Sequence, residues 1–249
     1  MDFLVSVRPG RGVVRVGVPV ELDIRDYLRV HGDEFLPLLA IELEDLGLDV
    51  RQVRVGTLGG RGAVERYLRL LDYLNTEVMV ASMGVSDNEG VVDVLDEASM
   101  YGVRVIWEFG RKSLNNVDRV FEISREVEPH RLNIALHVAR ERSLRDFLRN
   151  FILMSGYVKV IYYSNKRGGN FGLPVFDGII DYLKLTKILQ MLKYDESLVL
   201  SYSPEYAQRY NEDLEALSTF INSPGDVDKR LSKALENLMN KIMSEQSLT

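Results

Sequence analysis

The 249-residue chain carries 31 Lys and Arg against 37 Asp and Glu, a net charge of −6 with a pI near 5.3. That balance argues against a protein built to coat nucleic acid, although a local basic patch is compatible with it. Cysteine is absent, which excludes disulfides, thiolate nucleophiles and cysteine-ligated zinc, and no apolar run approaches the ~18 residues of a membrane span.

The first residues, Met1-Asp2-Phe3-Leu4, contain no basic segment leading into a long apolar one, so no signal peptide is expected and the cytoplasm is the expected compartment. Arginine outnumbers lysine, whose first instance is Lys112. Together with the lack of cysteine this leans toward a thermophilic source, and genome composition explains it equally well.

Hydrophobic periodicity divides the chain into alternating strands and helices. Asp2 to Val7 and Val13 to Val18 are both strand-like and are separated by the turn signal Pro9-Gly10-Arg11-Gly12. One is the first strand of a sheet, and the other is free to pair with it as a hairpin. Leu22 to Val30 reads as a short helix, Leu36 to Leu43 as the second strand and Val50 to Val55 as the third. The third strand runs into Gly56-Thr57-Leu58-Gly59-Gly60-Arg61-Gly62, after which Val64, Tyr67, Leu68 and Leu71 mark one face of a helix over 63–74.

Glu77 to Met83 is a strand, and the helix from Glu89 to Tyr101 stops at Gly102, a suitable left-handed cap. Val103 to Phe109 is a strand, Leu114 to Val127 a helix and Leu132 to Val138 a strand; Ser143 then caps a helix reaching Met154. Val158 to Tyr163 is an apolar, β-branched and aromatic strand. It breaks at Ser164-Asn165 into a polar loop with Lys166, Arg167, Gly168 and Gly169, followed by a helix from Ile179 to Lys193. Ser197 to Ser201 is the last strand and Glu205 to Ile221 its helix.

Such alternation implies parallel β/α units. Eight strands in a chain of this length match a single α/β domain over 1–249, a (β/α)8 TIM barrel, with an open doubly wound sheet as the alternative. Beyond Pro224-Gly225, Val227, Leu231, Leu235, Leu238 and Ile242 mark an extra amphipathic helix in a C-terminal extension over 223–249. Covering the barrel is its simpler role, and a homodimer contact is the other.

Ile41-Glu42-Leu43, Val103 to Glu108, and Leu173-Pro174-Val175-Phe176-Asp177-Gly178-Ile179-Ile180-Asp181-Tyr182 resemble, in that order, three segments of one family. They are similar to the second-strand ending, the fifth strand and the Leu-Pro-x-Gly-x-Gly-x-x-Asp segment of the xylose isomerase-like TIM barrels, the superfamily that also contains endonuclease IV. Phe176 stands where a glycine is usual. The resemblance implies one divalent ion held by Glu, Asp, His and Glu from strands five to eight.

Carried onto this chain, those positions become Glu108, His137, Tyr162 and Ser201, with Asn165 where the family often has aspartate. Two ligands rarely hold a catalytic ion against water, and Tyr and Ser are poor substitutes at neutral pH. No cofactor is therefore expected, a metal at Glu108 and His137 included. Ser201 also cannot act as the second carboxylate base that epimerase chemistry needs.

Glu108 and His137 are the candidate catalytic residues, and each has a plainer role open to it. Glu108 can pair with Arg111 or Lys112, and a lone histidine at a strand end is often only a hydrogen-bonded structural residue. Arg61, Arg111, Lys112, Arg140, Arg142, Lys166 and Arg167 all follow strands, which makes that end of the barrel more basic than the chain as a whole. The glycine-rich loops after strands three and seven suit phosphate through backbone N–H groups, without Walker or Rossmann spacing.

Arg111, Tyr162, Asn165, Lys166, Arg167 and Ser201 are the candidate ligand-binding residues, and a small polyhydroxylated or phosphorylated molecule is the expected ligand. Three readings of function follow: a sugar or sugar-phosphate isomerase or epimerase with a degenerate metal site, a non-catalytic barrel that binds a small ligand or protein partner, and, last, an endonuclease IV-like phosphodiesterase. Three histidines are too few for the multi-metal cluster of the third.

Overall fold

The computed structural model describes residues 1–9, 17–32, 35–44, 47–58, 62–83, 88–109, 116–222 and 229–246. Its strands are β1 (Asp2–Val7), β2 (Val20–Asp23), β3 (Val50–Leu58), β4 (Val78–Met83), β5 (Arg104–Glu108), β6 (Asn133–His137), β7 (Val158–Tyr163), β8 (Asn165–Arg167), β9 (Asn170–Leu173) and β10 (Ser197–Leu200). Eight of them close into a barrel in the order β1-β10-β7-β6-β5-β4-β3-β2, every pair parallel. The α/β barrel expected from the alternation is what the chain forms.

The helices α1 (Arg25–His31), α2 (Leu36–Glu44), α3 (Leu68–Tyr73), α4 (Asn88–Met100), α5 (Asn116–Ile123), α6 (Leu144–Met154), α7 (Tyr182–Met191), α8 (Tyr210–Asn222) and α9 (Lys229–Gln246) follow in chain order. Gly102 ends α4 at φ 69°, and the Val103 N–H reaches back to the Ala98 carbonyl at 2.8 Å. Ser143 caps α6 by accepting from the Asp146 N–H. The extra helix α9 buries Leu235 and Ile242 and packs against α6. No described helix is long and apolar enough to cross a membrane.

Five expectations need correction. Leu36 to Leu43 is not the second strand but most of α2. Its buried residues Leu36, Leu39 and Leu43 fall on one helical face, while Leu38 and Ile41 are exposed. Pro37 is tolerated because it lies in the first turn, where no intrahelical N–H bond is lost. Short apolar runs carry no period that separates a strand from a helix, and the true second strand, Val20–Asp23, is short and half acidic. Leu22 consequently belongs to β2, and the first helix begins only at Arg25. Of the second strand-like run, Val13 to Val16 lie outside the described residues.

The polar loop after β7 is instead an antiparallel hairpin of β8 and β9, with Arg167 paired to Asn170. Gly168 (φ 55°) and Gly169 (φ 89°) form its two-residue turn, which needs two consecutive left-handed residues. The helix expected from Ile179 starts at Tyr182, because the Asp181 side chain caps it by accepting from the Lys184 N–H at 3.0 Å. The helix after the last strand opens as a 3-10 segment, Pro204–Arg209, before α8.

Alternating strand residues give the barrel two apolar zones. The larger lies between the strands and the surrounding helices. The smaller fills the barrel interior with Leu4, Val80, Ile106, Ala135, Val160 and Val199, topped by the ring of Tyr162.

Candidate functional site

Two positions beyond those inward-facing apolar residues, toward the C-terminal strand ends, the interior becomes polar. Ile106 is followed by Glu108, Ala135 by His137 and Leu4 by Ser6, while β2 contributes Glu21 and Asp23 and β3 contributes Gln52 and Arg54. The period of two that buries one set of side chains thus projects the other into the mouth of the barrel, where chemistry is found in this architecture.

Arg54 is the centre of the group, with only 2% of its surface exposed. Its Nη2 donates to Glu108 Oε2 and lies 3.2 Å from His137 Nε2. Its Nη1 lies 3.9 Å from both Glu21 Oε1 and Asp23 Oδ2. The guanidinium carbon sits 4.3 Å from the centroid of the Tyr162 ring, within cation–π range. Arg54 Nε has no hydrogen-bond partner among the described residues.

Every carboxylate around it has further donors. Glu108 Oε1 accepts from Arg140 Nη2 at 3.1 Å and has Arg25 Nη1 at 3.6 Å, while its Oε2 lies 3.3 Å from His137 Nε2. Asp23 accepts a two-pronged contact from Arg25, Nε at 2.8 Å and Nη2 at 2.7 Å, with Arg8 Nε at 3.4 Å. Glu21 accepts from Ser6 Oγ at 2.9 Å, Gln52 Nε2 at 2.7 Å and Tyr162 Oη at 2.5 Å.

The protonation states follow from these neighbours. Burial works to raise the Glu108 pKa, but the Arg54 and Arg140 guanidinium groups, with a hydrogen-bonding contact from the uncharged His137 imidazole, outweigh it and hold the carboxyl well below the usual range. Burial pushes His137 down to about 3, with Arg140 and Arg54 adding to the shift against the pull of Glu108, so the imidazole is neutral. Burial pushes Glu21 up, against the opposing Arg54. Asp23 is lowered: desolvation alone would raise it, and Arg25, Arg54 and Arg8 reverse that.

Glu21, Asp23, Arg54, Glu108 and Tyr162 are all buried. Solvent reaches the cluster at the side chains of His137 (11% exposed), Arg140 (25%), Arg8 (26%) and Arg25 (30%).

The predicted residues divide accordingly. Glu108, His137 and Tyr162 are brought together, with the His137 and Tyr162 rings stacked at 4.2 Å and 10°. Ser201 is half-buried and its N–H donates to the Tyr163 carbonyl at 3.0 Å. Among the described residues, its side chain is not a partner of Arg54 or Glu108. Asn165 is fully buried and bonds to backbone on both sides of the turn into α7. Its Nδ2 donates to the Val175 and Ile180 carbonyls, and its Oδ1 accepts from the Lys166 and Ile180 N–H groups. A Cβ on Gly178 would collide with that side-chain oxygen, so only glycine fits there. Lys166 Nζ donates to the Glu141 carbonyl, Arg167 is exposed beside the hairpin turn, and Arg111 lies outside the described residues.

Glu21, Asp23, Arg25 and Arg54 were not among the predicted residues. Two signals for them exist in the sequence. Gln52-Val53-Arg54-Val55 alternates polar and apolar residues inside a strand, and Val20-Glu21-Leu22 is itself an apolar-Glu-Leu ending. Ile41-Glu42-Leu43, read above as such an ending, lies instead within α2.

No protein-family profile matches the chain and no curated protein is similar enough to match. Solved structures do match. A protein from Thermus thermophilus, soaked with ZnCl2, aligns at 14% identity and TM-score 0.60, over 91% of this chain and all (100%) of its own. L-ribulose 3-epimerase aligns at 15% and 0.51, over 93% of this chain and 88% of its own. D-allulose 3-epimerase from Methylomonas sp. aligns at 11% and 0.54, over 91% and 87%. The fold, a closed eight-stranded parallel α/β barrel, is shared with these proteins. Identities this low establish fold and leave chemistry to the site.

The resemblance seen in the sequence implies a divalent ion, and the donors here do not fit one. Both oxygens of Glu108 and the Nε2 of His137 are already within contact distance of guanidinium nitrogens. Among the described residues, no group of three or more His, Asp or Glu side chains is spaced to hold a metal.

Proposed function

We propose that the protein is a sugar isomerase- or epimerase-like barrel that takes a small polyhydroxylated anion at its mouth, above Glu108 and His137. The observation that carries this reading is a surplus of fixed positive charge. Four guanidinium groups, from Arg8, Arg25, Arg54 and Arg140, stand against three buried carboxylates, those of Glu21, Asp23 and Glu108. Asp26 at the rim is shared between Arg8 and Arg29 and leaves the surplus in place. Confined excess charge at a concave mouth attracts a counter-ion. Arg25 and Arg140 each retain N–H donors beyond those already in use, in a fork suited to phosphate or carboxylate.

The polyhydroxylated character rests on the names of the two epimerases that share the fold. His137, neutral and partly exposed, is the group that would receive a proton from the ligand. Glu108 lies behind it and fixes its position. A second reading, binding without turnover, is favoured by the low basicity of both groups, since proton transfer is best served by a pKa near the working pH.

Calorimetric titration with D-ribulose 5-phosphate, D-gluconate and D-ribulose tests the anion. Both anions should bind and the neutral sugar should bind at least tenfold more weakly, a difference of about 1.4 kcal/mol. Arg140→Ala should remove the preference, whereas Lys166→Ala/Arg167→Ala should leave it nearly intact. Loss of the preference in the hairpin variant would instead place the anion between Lys166, Arg167 and the Gly168-Gly169 backbone. Equal affinity for all three ligands would defeat the anion reading. Deuterium uptake at ligand carbon in D2O separates turnover from mere binding.

A further inference from the structure

A cavity of about 560 Å³ lies at the opposite end of the barrel from the candidate site. It joins the second half of α4 to the starts of β5 and β6, where Arg104, Val105 and Asn133 line it. Those two strands end in Glu108 and His137, about 13 Å further along. The volume is that of a small-molecule site.

One wall is apolar, formed by Leu95, Ala98, Val103 and Val105. The other carries two guanidinium groups, Arg104 and Arg131, and two carboxylates, Asp96 and Glu128. That balance contrasts with the positive surplus at the barrel mouth and suits a ligand bearing both signs of charge.

Three polar groups in this wall are unmatched. Among the described residues, the Arg104 guanidinium has no partner. Arg131 Nη2 donates to Asp96 at 2.6 Å, but its Nε is buried without an acceptor. Asn133 is only 4% exposed, and its Nδ2 donates to the Arg131 carbonyl at 3.2 Å and the Val105 carbonyl at 3.5 Å. Two carbonyl partners fix the orientation of that amide, and among the described residues its Oδ1 accepts from none. Polar groups removed from water and left unpaired cost stability, so each calls for a partner.

We propose that this cavity binds an aliphatic α-amino acid. Its carboxylate pairs with Arg104 and takes the Nε–H of Arg131. Its ammonium donates to Asn133 Oδ1, with Asp96 and Glu128 supplying the negative charge, and its side chain lies on the apolar wall. The inference does not depend on the ligand proposed for the mouth, so either can fail alone.

The test is NMR of protein carrying methyl-labelled valine and leucine, titrated with L-leucine, isocaproate and isoamylamine. The second is leucine without its ammonium and the third is leucine without its carboxylate. L-Leucine at millimolar concentration should shift the methyl signals of Leu95, Val103 and Val105, and leave Val80 and Val199 of the barrel interior unmoved. Each truncated analogue should bind about tenfold more weakly. Arg104→Gln, a change at an exposed position, should weaken L-leucine by about the same factor, and Arg140→Ala should leave its affinity unchanged.

The proposal is overturned if L-leucine moves none of these signals, or if either analogue binds as tightly. It is equally overturned if Arg104→Gln binds like wild type, or if Arg140→Ala abolishes binding and so places L-leucine at the mouth. Should Arg104→Gln not fold, the three ligands on wild type decide the matter.

Discussion

Below the Tyr162 hydroxyl the barrel interior holds Leu4, Val80, Ile106, Ala135, Val160 and Val199. One inward position further along the same kind of strand it holds Ser6, Glu108 and His137, joined by Glu21, Asp23 and Arg54. The two layers are built by the same alternation, the lower one closed to solvent and the upper one reached by it only at its rim, and they are stabilised by different means. Apolar burial is non-directional and sums over atoms, so the lower layer loses stability in proportion to what is removed. The upper layer depends on each charge keeping its partner, so one deletion strands several groups at once.

The largest expected effect is therefore in the upper layer. Glu108→Ala leaves Arg54 and Arg140 without their shared carboxylate and should cost about 3–5 kcal/mol in urea unfolding. A cost below that of a single methylene would mean that the cluster is solvated and that the contrast between the layers is illusory. Ile106→Ala, two residues earlier on β5, should cost about 3 kcal/mol through lost burial and the cavity left behind. Its cost should be the same at pH 7 and pH 5, because nothing in the lower layer titrates.

Lowering the pH sharpens the difference further. His137 is held at about 3 in the folded protein against an ordinary 6.5, so between those values the unfolded chain binds its proton more readily. The stability it provides is complete above about pH 6.5 and is lost as the pH falls toward 3. Glu108, also depressed, adds to the loss as the pH falls below its ordinary 4.5. Glu21 works in the other direction: its raised pKa favours the folded state as it protonates, and this offsets part of the loss. Wild-type stability should decline from pH 7 to pH 5, and His137→Asn should flatten that segment of the profile. An unchanged slope in the variant would remove His137 as the cause.

How much of this was legible in the sequence differs along the chain. From Val78 to Leu200 each barrel strand was readable because it is apolar, bounded by caps and separated by helices with a clear face. The first quarter misled for a physical reason. Leu36 to Leu43 has the composition of a buried strand and the burial spacing of a helix, while β2 consists of four residues, two of them carboxylates aimed inward. Losing β2 meant losing Glu21 and Asp23. The partners that explain Glu108 and Tyr162 then could not be seen. Arg54 was hidden because a charged residue in mid-strand normally signals the solvent face. Here it signals the interior of a barrel whose opposite strands supply the counter-charges. The hairpin after β7 was written openly in Gly168-Gly169, with polar residues on both sides of the turn obscuring it.

Tyr162 belongs to both layers, and the smallest predicted effect falls there. Its ring caps the apolar zone and stacks on His137, while its hydroxyl donates to Glu21 at 2.5 Å. Tyr162→Phe keeps the ring, the stack and the contact with the Arg54 guanidinium, and deletes only the O–H. Glu21 still accepts from Ser6 and Gln52, so it is not left without donors. The cost should therefore be near that of one hydrogen bond, about 1 kcal/mol, and far below that of Glu108→Ala. It should also depend on pH in a way that Ile106→Ala does not. Removing a donor that favours the ionised carboxylate raises the Glu21 pKa further, so the penalty should be greatest at high pH and shrink as Glu21 protonates. Urea unfolding of wild type and variant at pH 5 and pH 8 gives the comparison. A penalty of several kcal/mol, constant with pH, would show that Tyr162 contributes through its packing in the lower layer and that its hydroxyl has no part in the upper one.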